Sequence, residues 1–480
     1  MEHISNPWSA GVPAGLVAPA RSAISKCGFA VWLWPAGTPA LQTTACLHCA
    51  GATTSSARMK ILRHTQPGFA KALDALKRHS EPLDFVRKTV APIIADVRKR
   101  GDAALIDLTE KFIKVRLKLS QLAVTEPASV DAATRKAIAT SHKNVFAFAR
   151  KSLRKSWTGR NVQGARVGER FDPFQRVGVY VPGGTAPLVS TAVMTVTLAA
   201  AAGCPEIVAV TPCDKTGGIN PALLFALRHA GATEIYRVGG AQAVAALAYG
   251  TKTIRPVQKI FGPGSPWVVE AKRQVFGQCA IDLLPGPSEI LVLADATANA
   301  AWVAADLLAQ AEHGHGSSIL FVTDSARLLA AVEKQIRVQA ATLSRRGYLT
   351  DVLEQNAALV LVKSLAHGIA IANDFAPEHI SIVAKNEDAI ARDIRTSGAI
   401  FLGGWSPVAA GDFVAGPSHT LPTGGAGKSF PGLMADMFQR RTSIVRLDRA
   451  SLAKSVETIE QFSRIEGLDA HGRSARIRFE

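Results

Sequence analysis

The sequence predicts an α/β protein: two doubly wound parallel-sheet units, each incomplete Rossmann-like, with small helical arms at the N- and C-terminal ends. Three observations carry this. After Arg176, short apolar runs ending in glycine or a polar turn alternate with helical segments, the pattern of parallel sheets covered by helices on both faces. The alternation then occurs a second time. Finally, 48% hydrophobic and 19% charged residues over 480 positions supply enough apolar surface for two or three compact units.

Residues 1–58 differ from everything that follows: Ala, Pro, Gly, Ser and Thr abound, Glu2 is the only acid, and no periodicity persists. No stable fold is expected there. Two accounts stand for this extension. Translation starting at Met59 is preferred and implies a cytoplasmic protein; an acid-poor, Ser-rich transit peptide would imply a plastid one. Cys46-Leu-His-Cys49 lacks a second ligand pair at suitable spacing and is not read as a zinc knuckle.

From Phe85 to Phe112 apolar residues recur at helical spacing, with Arg100-Gly101-Asp102 as a break, so two helices are expected. A third covers Ala132 to Lys155. The first strand series is VGVYVPGG, EIVAVTP, EIYRVGG and KIFGPG, with helices over 190–202, 221–230 and 241–249 between its members. The second is ILVLAD, SILFVT, ALVLV, ISIV and AIFLGG. In such sheets ligands are expected beyond the carboxyl ends of the strands, where these glycine-rich turns lie.

Several function classes are disfavoured by composition. The net charge of +17 is spread widely rather than gathered into an arm, and aromatics at 6% leave few stacking platforms, so nucleic acid is not the expected partner. No apolar run reaches the ~18 residues of a membrane span. Six cysteines in so long a chain do not make a disulfide framework. There is no Gly-x-Gly-x-x-Gly fingerprint. Thr423-Gly-Gly-Ala-Gly-Lys-Ser429 fails as a Walker loop because Pro422 takes the first glycine position and no apolar strand precedes it.

Chemistry-bearing residues cluster in a few stretches. Near the end of a helix starting at about Thr297, Gln310 and His313 are three apart and share one face. They could be half a metal site, but on this stretch alone a polar helix terminus before Gly314 is the preferred reading. Glu378 and His379 stand just before the strand ISIV, where alternation would point them apart unless Pro377 holds them in a turn. Asp412 sits in a glycine-rich loop that continues to His419, Ser288 in the turn Pro285 to Glu289, and Glu466 and His471 follow the C-terminal helix near Leu452 to Ile465. Singly, each is also an ordinary cap, turn or surface group.

In their order, however, these stretches closely resemble histidinol dehydrogenase from about Met59 to Glu480. The resemblance rests on Val179-Tyr-Val-Pro-Gly-Gly184, Val238-Gly-Gly-Ala-Gln242, Ile260-Phe-Gly-Pro-Gly264, Gly286-Pro-Ser-Glu289, Gln310-Ala-Glu-His313, Ala376-Pro-Glu-His379, the Asp412 loop and Glu466 through His471. It implies oxidation of L-histidinol through L-histidinal to L-histidine, with reduction of two NAD, in the last steps of histidine biosynthesis. It also implies one zinc per subunit, held by Gln310, His313, Asp412 and His471, the last from a partner in a homodimer with shared active sites. His379 is then the general base and acid, and Glu378 the residue that activates water. Substrate would touch Ser288, Gln310, His313, His379, Asp412, Glu466 and His471; NAD would touch Tyr180, Gln242 and Ser265.

With the resemblance goes an expected organisation: an N-terminal arm at 59–79, a discontinuous α/β unit at 80–179 and 289–433, an NAD-side unit at 180–288, and a dimerisation arm at 434–480. Three positions depart from the family pattern. Ser265 replaces an Asn, Ser418 an Asn, and Pro285 an Ala. Two rival readings are a paralogous zinc and NAD dehydrogenase of another polar alcohol, and a basic nucleic-acid-binding protein that has lost activity. Glu466, an acid suited to a cationic amino alcohol, argues against the first, and the intact set of metal and catalytic residues against the second.

Overall fold

The computed structural model describes residues 59–77, 84–183 and 187–480, so the 1–58 extension lies outside the described residues. Strand β1 (Lys60–Arg63) and helix α1 (Phe69–Asp74) lead to α2 (Asp84–Arg100), α3 (Asp102–Ile113) and α4 (Ala132–Ser152). A hairpin, β2 (Trp157–Arg160) and β3 (Arg166–Pro173), precedes the first alternating series: β4 (Arg176–Tyr180), α5 (Val189–Ala202), β5 (Glu206–Val210), α6 (Pro221–Ala230), β6 (Glu234–Tyr236), α7 (Gly240–Tyr249), β7 (Lys259–Phe261), α8 (Pro266–Val275) and β8 (Ala280–Ile281). The second series is β9 (Glu289–Ala294), α9 (Ala300–Ala311), β10 (Ser318–Thr323), α10 (Ala326–Ala340), α11 (Arg346–Gln355), β11 (Ala357–Leu361), α12 (Leu365–Phe375), β12 (His379–Val383), α13 (Glu387–Asp393), β13 (Ala399–Leu402) and α14 (Val408–Phe413). The chain closes with β14 (Gln439–Arg446), α15 (Arg449–Ala453), α16 (Val456–Glu466) and α17 (Asp469–Arg476).

Both alternating series form parallel sheets of the same topology. The first has strand order β6-β5-β4-β7-β8, and the second repeats it as β11-β10-β9-β12-β13, with β1 added outside β11. Each sheet therefore has a point where the strand order reverses, between β4 and β7 and between β9 and β12. Side chains alternate faces as a covered sheet requires. Ile290 and Val292 join one core with α9, α10 and α11, whereas Leu291 and Leu293 join the opposite one with α12 and α13. A third sheet, antiparallel β14-β3-β2, lies outside the two expected strand series, because β14 is far from the β2-β3 hairpin in sequence and all three strands are mostly polar.

Packing divides the chain differently from the expected boundaries. Residues of α2 and α3 share a core with α7 and α8, and those of α4 with α5 and α6, so 84–152 cover the two faces of the first sheet. Sequence pairing could not show which sheet these amphipathic helices serve. A boundary at 179/180 would also cut β4, the central strand of its sheet. The N-terminal arm contributes an edge strand, Lys60 to Arg63 pairing in parallel with Ala358 to Leu361.

Caps fix where the site-bearing helix ends. Asn299 accepts hydrogen bonds from the Ala301 and Trp302 amides (2.9 and 3.3 Å), which starts α9 and brings Gln310 into its last turn. The C-terminal arm is anchored at Phe438, whose ring stacks on Phe261 with centroids 3.7 Å apart, both fully buried. Truncating such a ring typically costs ~3–5 kcal/mol. Phe438→Ala is expected to lower the urea midpoint by that order and to speed amide exchange along β14; an unchanged midpoint would mean the arm is held elsewhere.

Candidate active site

Where the two sheets are joined decides where the chemistry can be. The first sheet ends its series at β8, and residues 282–288 carry the chain from that strand's carboxyl end to the amino end of β9. Seven residues span at most ~25 Å, so the carboxyl edge of one sheet and the amino edge of the other flank one region. Glu289 opens β9 and His379 opens β12, neighbours in register through Ile290. The expectation that ligands lie beyond strand carboxyl ends thus suits the first sheet's turns after β4 and β7. It is corrected for Ser288, Glu378 and His379, which lie at the amino edge of theirs.

Glu378 and His379 do serve one locus. Ala376, the C-cap of α12, takes a left-handed conformation (φ 50°), which a residue with a Cβ adopts only under constraint, and Pro377 fixes the next torsion. Gly398 lies so close that a Cβ there would stand 2.7 Å from the Glu378 carbonyl oxygen. The turn leaves both side chains hung on the backbone of Glu289. Its N–H donates to Glu378 Oε2 (2.8 Å), and its carbonyl pairs with His379 Nδ1 (3.0 Å). Ser288 Oγ donates to the same Glu378 oxygen.

Electrostatics follow from burial. Desolvation pushes the Glu378 carboxyl up to about 8 despite the Ser288 and Glu289 donors, and it lowers His379, an effect that nearby Asp412 opposes. His379 is therefore a neutral imidazole at neutral pH. With Nδ1–H on the Glu289 carbonyl, its Nε2 keeps a lone pair, which faces Asp412 (Oδ1 at 3.8 Å). Asp412, on α14, is itself raised by burial. His419 lies on its other side, Nδ1 3.9 Å from Asp412 Oδ1 and Nε2 3.1 Å from Thr191 Oγ1, and burial lowers it to about 4.

Gln310 supplies a direct test of whether a metal suits this place. It is 2% exposed, and among the described residues neither its amide oxygen nor its nitrogen has a hydrogen-bond partner. A buried amide left so costs ~1–3 kcal/mol per group, unless something else takes the oxygen. His313 follows in the turn after α9, its Nδ1 3.3 Å from the Ala309 carbonyl, while His315 turns away to Asp351 (3.0 Å). Among the described residues no three His, Cys, Asp or Glu side chains converge as a metal cage. The expected set would not form one within a single chain, since one donor is an amide and one imidazole is assigned to a partner. The donor types fit a borderline divalent ion such as zinc.

Two expected members are not brought in. Glu466 and His471 are exposed on α16 and α17, which pack against each other. At the other sheet, Tyr180 is buried with its hydroxyl accepting the Gly240 N–H (3.1 Å), Gln242 is buried beside it on α7, and Ser265 is the exposed N-cap of α8 with no side-chain cap bond. Four contributors are not among the expected site residues. Glu289 positions through its backbone, which no side-chain pattern announces. Thr423 and Gly424, in the rejected Walker-like loop, buttress the site: Thr423 Oγ1 accepts from the Gly286 N–H, and the Gly424 N–H donates to Glu289 Oε1 (2.6 Å). His419 was visible only as a loop histidine.

A family model described as histidinol dehydrogenase matches residues 76–479. The chain is 42% identical over 400 residues to a histidinol dehydrogenase of Geobacillus kaustophilus, covering 82% of this chain and 94% of that protein. It is 43% identical over 416 residues to one of Bradyrhizobium diazoefficiens, covering 85% and 96%. The crystal structure of histidinol dehydrogenase from Elizabethkingia anophelis superposes with a TM-score of 0.83 at 32% identity, over 88% of this chain and 98% of that one. Sequence and fold together therefore make this chain a member of the histidinol dehydrogenase family, oxidoreductases of histidine biosynthesis.

Proposed function

We propose that the chain oxidises L-histidinol to L-histidine through L-histidinal, with two NAD reduced, at a zinc site shared by two subunits. The observation that carries this reading is the suspension of a buried acid and a buried neutral imidazole from one residue, Glu289, opening toward Asp412. Gln310, His313 and Asp412, with the partner subunit's His471, would hold the metal. Zinc, when bound, supplies positive charge at the substrate, and NAD takes up the two hydride equivalents. Ser288 and His379 would also touch the substrate, with Glu466 offering a carboxylate to its ammonium. Tyr180, Gln242 and Ser265 would line the NAD side.

The two carbon oxidations ask different things of the protein. In the first, the alcohol loses its hydroxyl proton to His379 Nε2 as hydride departs, and an aldehyde results. In the second, water adds to the aldehyde while Glu378 takes its proton. His379, protonated in the first step, returns that proton to the developing oxyanion; the hydrate then gives a hydride to the second NAD and a hydroxyl proton to His379 Nε2 and becomes the acid. Ser288 and the Glu289 N–H hold the Glu378 carboxylate in place.

The arm supports a shared site. Phe462 and Ile465 on α16 are 58% and 69% exposed in the single chain, a poor state for large apolar side chains with no partner.

Chelation is expected to abolish turnover and zinc to restore it; full activity in protein shown by elemental analysis to be metal-free would remove the metal from this account. Mixing inactive His471→Ala protein with inactive His313→Ala protein is expected to give heterodimers with one restored site, whereas heterodimers that form and stay inactive would disprove sharing. Glu378→Gln is expected to slow aldehyde oxidation far more than alcohol oxidation, and His379→Asn to slow both, each by ~100-fold or more, read by single-turnover NADH formation from each substrate. Because Glu378 is raised to about 8 and acts ionised, aldehyde oxidation should increase with pH up to that region, or lower where a bound cation favours the carboxylate. The Gln variant should lose that limb. Equal losses in both steps would assign Glu378 a shaping role only.

A further inference from the structure

At the carboxyl edge of the five-stranded sheet lies a buried ion pair that the chemistry above does not use. Lys272 of α8 and Asp282, which follows β8, have wholly buried side chains that pair with each other. Each also grips the same glycine. Asp282 Oδ2 accepts the Gly262 N–H (2.7 Å), and Lys272 Nζ donates to the Gly262 carbonyl (2.9 Å). The Asp282 N–H donates in turn to the Ile260 carbonyl (3.1 Å), so three elements meet at one point.

Gly262 needs such a grip. Its φ is 109°, and a Cβ would stand 2.1 Å from the Tyr180 carbonyl oxygen, so only glycine fits. A glycine left to itself is the residue freest to adopt other conformations. Burying two charges is costly, and apolar side chains of similar volume would serve stability as well. What the charged pair adds is geometry: both polar groups of one peptide residue fixed from opposite sides. Asp282 is also the first residue of the 282–288 segment that ends at Ser288.

We propose that Lys272 and Asp282 are positioning residues for NAD, presetting the Gly262 to Ser265 turn. This rests on the reading that NAD lies against that turn. Lys272→Met with Asp282→Leu removes both charges together and leaves Gly262 without its partners. The NAD KM of the zinc-loaded enzyme is expected to rise about tenfold or more, while calorimetric L-histidinol binding without NAD stays within about twofold. Lys272→Gln with Asp282→Asn keeps a donor and an acceptor for Gly262 and should recover most of the NAD affinity, which mere space-filling would not.

A folded Met/Leu enzyme with an unchanged NAD KM would overturn the proposal. Should that variant not fold, the unmodified enzyme still decides: without NAD, the Gly262 amide should exchange as slowly as those of Ile260 and Phe261, and exchange at the rate of exposed loops would refute the clamp. Ser265→Trp separates the underlying reading, since bulk at this exposed position should raise the NAD KM. If it does so while the Met/Leu enzyme stays normal, the clamp alone fails. If Ser265→Trp is silent, NAD lies off the turn and both fail.

Discussion

The site depends on one residue's backbone. Glu289 opens a fully buried central strand, and its N–H and carbonyl take Glu378 and His379 respectively. Neither side chain could be moved without breaking a hydrogen bond in a place where nothing else would satisfy it. That is why a carboxylic acid and an imidazole adjacent in sequence, which a strand would point apart, reach one locus. The strained Ala376 and the close approach at Gly398 are the local costs of the arrangement. The Gly424 N–H holds the Glu289 side chain, and Thr423 takes the Gly286 N–H three residues before it.

The relation of the two sheets explains the division of labour. Both have the same strand order, yet the proposed function uses them at opposite ends. The first presents the turns after β4 and β7 at its order reversal, the usual place for a nucleotide in a doubly wound sheet. The second presents the amino ends of β9 and β12. Because the connecting segment leaves one carboxyl edge and enters one amino edge, the proposed hydride acceptor and the proposed base can face each other without any residue at the second sheet's own reversal point. The Asp412 loop spans the two units: Asn144 of α4 donates to the Val414 carbonyl (2.8 Å), and Ser418 to the Met194 carbonyl (3.1 Å).

Much of this was legible in the chain. Strand runs such as ILVLAD mark elements by local physics, and those elements appear within a few residues of their expected bounds. What could not be read was long-range. The sheet that α2 to α4 cover is a matter of packing partners, and β14 pairs with β3 across more than 250 residues of intervening chain. The same holds at the site. Gln310, His313, Glu378, His379 and Asp412 were visible as residue types in ordered motifs, but the Glu289 backbone and the use of the amino edge come only from pairing register. Glu466 and His471 remain on an exposed arm, where one chain alone gives them nothing to act on.

The central claim is that one site carries an alcohol through to an acid without surrendering the aldehyde. The most direct measurement is the stoichiometry of NADH formed from L-histidinol against L-histidine released, on zinc-loaded enzyme with NAD in excess. Two NADH per histidine, with no aldehyde trapped by semicarbazide, is the result the account predicts. One NADH per histidinol with the aldehyde accumulating in solution would contradict it, leaving an alcohol dehydrogenase in which Glu378 has no water to activate.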